Sequence, residues 1–120
     1  LLDADPQEGH PLPEIVVRRL RDLQALVARE PFASHPASGR LKCYVAFLTR
    51  APRAVPPLPI ASPKEMLEAI AIDGREAFIL SRLKPNNFFG FPNNFIEAAL
   101  AVPATTRNWS TVCAIARLGR

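Results

Sequence analysis

Residues 82–91 combine three kinds of side chain that together can bind a charged, ring-containing ligand. Arg82 and Lys84 supply positive charge, Asn86 and Asn87 supply amides, and three phenylalanines follow within a few positions. Basic groups interleaved with aromatic rings are typical of surfaces that bind single-stranded nucleic acid, because the cations contact phosphates and the rings stack on bases. The alternative is that the rings pack against the end of a sheet and the helix that follows.

A second candidate is the segment 104–112, which contains Arg107 and Asn108 immediately before the only tryptophan. Thr105 or Thr106 is a suitable N-cap, so the pattern predicts that a helix begins there. Arg107 then falls in the first turn, where a cation opposes the helix dipole. Because a cation is unfavourable at this position, a ligand that interacts with it would explain its presence. We therefore predict that Arg107 and Asn108 bind a ligand. Capping of a neighbouring carbonyl group would also explain them.

Three stretches of the sequence together resemble a known family. Residues 71–76 read Ala-Ile-Asp-Gly-Arg-Glu, residues 91–95 read Phe-Pro-Asn-Asn-Phe, and the third stretch is 104–112. Over roughly residues 15–118 the chain resembles the C-terminal half of the bacterial family catalogued as domain of unknown function 1697. The resemblance implies a bacterial source and an α+β architecture related to the ferredoxin-like plait. It also implies an N-terminal domain as a partner, although no segment of this chain matches that half.

The length and composition of the chain predict one small domain. Of its 120 residues 48% are hydrophobic, which is enough for a single core. Its apolar runs fall far short of the ~20 residues that span a bilayer, and the acidic start lacks the order of a signal peptide. We therefore expect a soluble cytoplasmic protein. Residues 1–13, with three prolines, read as a linker or disordered terminus, and residues 14–120 read as the domain. Because the chain begins with leucine, we expect a fragment of a larger protein.

Charge is distributed unevenly along the chain. The formal net charge is +4, yet residues 1–14 hold four acidic residues and no basic one. The remainder has 15 basic and 7 acidic residues, a balance of +8. Such a surface favours nucleic acid or an anionic small molecule as partner. The alternative is that a missing half of the protein supplied acidic contacts.

The sequence favours a binding or interaction protein over an enzyme. No set of Ser, His and Asp has a spacing typical of hydrolases, and Asp73 is taken up by a turn. Glu68 is the only carboxylate in an apolar setting. Cys43 and Cys113 lack CxxC spacing and sit in apolar patterns, so they predict buried thiols in a reducing compartment. We therefore assign no catalytic residue, metal site or cofactor, and a split active site completed by another domain stays open.

Local patterns predict the elements of the first half of the chain. The β-branched run at residues 15–17 indicates a strand. Leucines at helical spacing after it indicate a helix, which Pro31 prevents from continuing. Apolar residues alternate over residues 41–48, which predicts a central strand. Five prolines within residues 49–63 exclude a long helix or a central strand there.

Asp73 and Gly74 form the strongest hairpin signal in the chain. A two-residue type I′ turn would place Ile72 opposite Arg75. Both faces of this hairpin would then be mostly apolar, so the pattern does not say which of them faces the core.

Two more helices complete the predicted fold. Pro92 at an early helical position would start one of them, with Phe91 and Phe95 on its buried face. Trp109 and Cys113 lie on the apolar stripe of the last helix, with the tryptophan as a core anchor. The predicted class is α+β, a small and mostly antiparallel sheet with helices on one face.

Overall fold

The computed structural model describes residues 18–119, so the predicted linker at 1–13 and strand at 15–17 lie outside the described residues. Three helices and five strands form an α+β fold, which confirms the predicted class. The helices are α1 Leu20–Ala28, α2 Asn93–Leu100 and α3 Trp109–Ala116, with a 3-10 helix at Arg117–Gly119. The strands are β1 Leu41–Leu48, β2 Ile60–Ser62, β3 Leu67–Asp73, β4 Glu76–Arg82 and β5 Ala104–Asn108.

The strands form one antiparallel sheet in the order β2-β3-β4-β1-β5. Strand β1 is internal, as its alternating pattern predicts, with Tyr44 opposite Ile79 of β4 and Asn108 of β5. The proline-rich segment contributes only the three-residue strand β2 at the edge of the sheet. A relation to the ferredoxin-like plait stays a prediction.

Helices cover both faces of the sheet, so the expectation of helices on one face is wrong. Phe47 and Phe78 pack with α1 and α3 in one cluster. Leu48 and Ile79 pack with α2 in a second cluster on the opposite face. Burial of such a side chain contributes about 1.5–3 kcal/mol, and the internal strands are apolar on both faces. Each face therefore needs a helical layer.

The β3–β4 hairpin closes one residue later than predicted. Asp73 lies opposite Glu76, so the two loop residues are Gly74 and Arg75, and the predicted pairing of Ile72 with Arg75 is wrong. Gly74 has a φ of +59° at the first loop position, where a type II′ turn requires glycine. The Asp-Gly pair thus marks the turn without fixing its register.

A bulge in β3 then changes which side chains share a face. The pairing shifts between Ala69 and Ala71, with Ala69 opposite Ile79 and Ile72 opposite Ala77. An extra residue in one strand reverses the alternation beyond it. As a result Ala69 and Ile72 pack in the same cluster as α2, although they are three positions apart.

Residues 104–108 form a strand, which corrects the predicted helix start at Thr105 or Thr106. Both threonines are β-branched and suit a strand, and β5 pairs with β1 along its length. The helix α3 begins only at Trp109, where the side chain of Asn108 accepts a hydrogen bond from the Ser110 N–H at 2.9 Å. Asn108 is therefore the N-cap.

Helix α2 also presents a different face from the one predicted. Its buried side chains are Ile96 and Leu100, whereas Phe91 precedes the helix and is exposed, and Phe95 is only half-buried. Pro92 occupies the N-cap position rather than the first helical position. The packing role predicted for Phe91 therefore does not extend to burial in the core.

Candidate ligand-binding surface

The loop between β4 and α2 folds back over the end of the sheet and is held by hydrogen bonds. The Lys84 N–H donates to the Phe88 carbonyl at 2.9 Å. The buried Ser81 hydroxyl donates to the Gly90 carbonyl at 2.7 Å. A methyl group on Gly90 would lie only 3.0 Å from the Glu65 carbonyl oxygen, so the close approach favours glycine. The loop therefore has a defined position on the sheet.

This loop places aromatic rings beside two residues of β1. The Lys42 Nζ lies 4.7 Å from the centroid of the Phe89 ring, a cation–π contact. The Phe91 ring meets the edge of the Tyr44 ring at a centroid distance of 5.6 Å. Phe88 and Phe91 expose 69% and 59% of their surface. These five residues form what we call the aromatic surface.

Tyr44 is the member of the aromatic surface that carries a hydroxyl group. Its side chain is buried, and burial raises the pKa of its hydroxyl above the ordinary value of 10.0 because the charged form loses solvation. The hydroxyl is therefore protonated at neutral pH. Asn108 lies directly opposite Tyr44 on β5, which brings one predicted site residue next to the aromatic surface.

Arg107 is the second predicted residue that reaches this region. It lines a depression of about 210 Å³ together with Phe91 and Asn93. Its Nη1 donates to the Thr106 carbonyl at 3.2 Å, and it forms no ion pair with any of residues 18–119. The guanidinium charge of Arg107 is thus available to a ligand at the edge of the aromatic surface.

Arg82 and Lys84 are placed differently, because each has a carboxylate partner. The Arg82 Nη1 lies 2.7 Å from Glu68 Oε1, and the Lys84 Nζ lies 3.2 Å from Glu65 Oε1. Glu68, the carboxylate in an apolar setting, is therefore part of a surface ion pair. Such pairs contribute only about 0–1 kcal/mol, so a polyanion can compete for these cations. They are secondary to Arg107 as ligand contacts.

The two loop asparagines have structural roles. The Asn86 Oδ1 accepts a hydrogen bond from the Phe88 N–H at 3.0 Å. Asn87 has a φ of +68°, a conformation that asparagine tolerates better than most residues. Both shape the turn that presents Phe88, and both remain exposed.

The predicted residues therefore do not converge on one compact pocket. Arg82 pairs with Leu41 and Arg107 pairs with Val45 on the two sides of β1. Four residues along the strand and two strand spacings across it separate their backbones by roughly 16 Å. An extended chain can span this distance.

Sequence reasoning missed Lys42 and Tyr44. The alternation of β1 puts both on one face, and that was the only local signal available. Their contact with Phe89 and Phe91 joins positions more than forty residues apart, which no local pattern reveals.

Comparison of the chain with protein-family models, with curated proteins and with solved structures gave no significant match. Membership of the family that the sequence resembles stays a prediction. Within residues 18–119 no group of three or more His, Cys, Asp or Glu side chains is arranged to hold a metal ion. No helix among the described residues has the length and apolar character needed to cross a membrane.

Proposed function

We propose that this chain binds single-stranded nucleic acid through the aromatic surface and Arg107. The observation that carries the proposal is the exposure of Phe88 and Phe91, three residues apart on a loop fixed by hydrogen bonds. Exposed phenylalanines grouped in this way are typical of interaction surfaces. Lys42 and Arg107 lie beside them without ion pairs among residues 18–119, which favours an anionic partner.

Each part of the surface has its own task in this proposal. The two exposed rings stack on successive bases, a contact worth about 1–3 kcal/mol per base. Lys42 and Arg107 contact phosphates on either side of the rings. Stacking does not depend on base identity, so we expect affinity without strong sequence preference.

The test is fluorescence anisotropy of labelled oligo(U) and oligo(dT) titrated with the protein and with single variants. Phe88→Ala and Phe91→Ala are each expected to weaken binding by about fivefold or more, since 1 kcal/mol corresponds to that factor. Leu118→Ala is the matched control, because Leu118 is 75% exposed and lies outside the aromatic surface. It should leave the affinity unchanged.

Salt dependence gives an independent measure of the phosphate contacts. For single strands the slope of log affinity against log salt is about −0.7 per phosphate, so contacts by Lys42 and Arg107 predict about −1.4 and a sevenfold loss between 50 and 200 mM. Arg107→Ala should halve that slope, whereas Arg53→Ala, an exposed cation outside the surface, should not. Absence of salt-sensitive binding, or equal effects of the ring and control variants, would refute the proposal.

The main alternative is that the same rings pack against another domain of a larger bacterial protein, as the family resemblance implies. Packing of that kind would not produce salt-sensitive binding of oligonucleotides, so the titration separates the two ideas. A split active site is the third possibility, in which another domain supplies the reacting groups. The two free cysteines, Cys43 and Cys113, support the cytoplasmic location that we propose with this function.

A further inference from the structure

An apolar cleft of about 340 Å³ lies on the α1 and α3 face of the sheet, opposite the aromatic surface. Its walls include Val27 of α1, Cys43 of β1, and Trp109 and Cys113 of α3. Clefts of this size with apolar walls and few polar groups are typical of small-ligand sites. The aromatic surface shares none of these residues.

The aromatic wall of the cleft is held in place by edge-to-face contacts. The ring of Phe32 meets that of Trp109 at a centroid distance of 5.3 Å and that of Phe78 at 5.8 Å. The Cys43 Sγ donates to the His35 carbonyl at 3.3 Å, which ties the loop to β1. Trp109 remains only partly buried, so its ring is accessible from the cleft.

One carboxylate beside this wall differs from all others in the described part of the chain. Six of the seven acidic side chains within residues 18–119 accept a hydrogen bond or form an ion pair, namely Asp22, Glu65, Glu68, Asp73, Glu76 and Glu97. Glu30 has no such partner among residues 18–119, and it lines the cleft. Among residues 18–119 no lysine or arginine lines the cleft, and His35 is the other titratable nitrogen-bearing side chain there. Glu30 is exposed, so its charge is solvated, and it is the acidic residue that borders the apolar wall.

The backbone at Glu30 gives no reason for a glutamate there. Its φ of 49° is left-handed, and it immediately precedes Pro31. A non-glycine residue in this conformation costs about 1–2 kcal/mol, and glycine would avoid that cost. No hydrogen bond or ion pair of the Glu30 side chain within residues 18–119 offsets that cost.

We propose that this cleft binds a small ligand in which an aromatic ring is joined to an ammonium group. The ring lies against Trp109 and Phe32, and the ammonium group pairs with the Glu30 carboxylate. The charge complementarity and the aromatic wall together select this class over neutral or acidic aromatic compounds.

Trp109 is the only tryptophan, so its fluorescence reports directly on the cleft. The full chain is titrated with three probes of similar size: 2-phenylethylammonium, 2-phenylethanol and 3-phenylpropionate. Because a partly exposed ion pair contributes about 0.2–1 kcal/mol, the ammonium probe should bind up to about fivefold more tightly than the alcohol, with the carboxylate probe weakest. Affinities near the millimolar range are expected for probes this small.

Variants then assign the preference to one residue. Glu30→Gln should abolish the preference for the ammonium probe while leaving the alcohol affinity unchanged. Glu65→Gln removes a half-exposed carboxylate outside the cleft and should change neither. Nucleic-acid binding should be unaffected by Glu30→Gln, because the aromatic surface is on the other face.

Two results would overturn the inference. A fluorescence signal that does not saturate with any probe up to about 10 mM would show that the cleft is not a site for this ligand class. Equal affinities for the ammonium probe and the alcohol, or a preference that survives Glu30→Gln, would show that the carboxylate does not select the ligand.

Discussion

Removal of the Glu76 carboxylate is expected to destabilise this fold strongly, because that carboxylate neutralises the charge of a buried guanidinium. The side chain of Arg18 is only 5% exposed, and its Nε donates to Glu76 Oε2 at 3.0 Å. Its second terminal nitrogen donates to the carbonyl oxygens of Leu48 and Arg75, at 3.3 and 3.1 Å. Arg18 thus joins the start of α1 to the end of β1 and to the β3–β4 turn.

The size of the effect follows from what remains after Glu76→Ala. Loss of one partner from a buried ion pair typically costs about 3–5 kcal/mol, because the other charge stays buried without compensation. Within residues 18–119 the guanidinium keeps hydrogen bonds to the carbonyl groups of Leu48 and Arg75 and lies 5.4 Å from the centroid of the Phe47 ring. Glu76 is also 19% exposed, so we expect a smaller loss in the free energy of unfolding, about 2–3 kcal/mol.

Urea denaturation followed by circular dichroism measures this loss. With a denaturant dependence of about 2 kcal/mol/M, the midpoint should fall by about 1–1.5 M at an unchanged slope. Glu65→Ala is the matched control, because it removes a carboxylate from the more exposed pair with Lys84 and should cost under about 1 kcal/mol. If the two variants shift the midpoint equally, burial of Arg18 does not govern the energetics of its pair.

Three further outcomes are expected. Ala101→Gly should raise the melting temperature, because Ala101 ends α2 in the left-handed conformation, at a φ of 55°. Glycine removes a steric cost of about 1–2 kcal/mol, which exceeds the entropy that it adds to the unfolded chain. A lower melting temperature would contradict this. Burial raises the pKa values of the Cys43 thiol and the Tyr44 hydroxyl above 9.0 and 10.0. The folded chain therefore retains these protons to a higher pH than the unfolded chain does. Stability should therefore be constant up to about pH 9 and fall above it, and a flat urea midpoint up to about pH 11 would be inconsistent. Glu97→Ala removes the carboxylate that accepts a hydrogen bond from the Ala104 N–H at 2.7 Å on the open edge of β5. An edge N–H group without a partner can pair with a strand of another chain, so size-exclusion chromatography should show more self-association than for the parent chain.

Elements defined by local signals were predictable from the sequence. The helix before Pro31 has both its period and its stop within a dozen residues, and the observed α1 ends at Ala28, three residues before that proline. The alternation in residues 41–48 likewise fixed β1 with its observed bounds. In both cases the physical determinant lies within the segment itself.

Elements decided by distant partners were not predictable in this way. Thr105 and Thr106 suit a helix cap and a strand equally, and pairing with β1, about sixty residues earlier, selects the strand. The bulge between Ala69 and Ala71 shifts the pairing of β3 with β4 in the part of the hairpin distant from the turn, and the composition of β3 does not reveal it. Tertiary contacts determined these outcomes.

The candidate surface shows the same division. Composition alone identified the loop with Arg82 and Lys84, because charge and rings are close in sequence. Whether a cation has an ion-pair partner depends on its neighbours in space. Glu68 pairs with Arg82 and Glu65 pairs with Lys84, and both carboxylates come from other segments of the chain. Lys42, which forms no ion pair within residues 18–119, was overlooked for the same reason, since only the fold brings Phe89 next to it.

The edge position of β5 has a consequence for the proposed function. Arg107 lies opposite Val45, whose side chain packs with α1 and α3, so the backbone directs Arg107 away from the aromatic surface. Arg107 nevertheless lines the depression beside Phe91, and its Nη1 donates a hydrogen bond to the Thr106 carbonyl. An additional strand paired to that edge would need the same carbonyl and would displace the guanidinium. Strand addition at β5 and the Arg107 contact to nucleic acid would therefore compete, and a strand docked on this edge should weaken binding about as much as Arg107→Ala does.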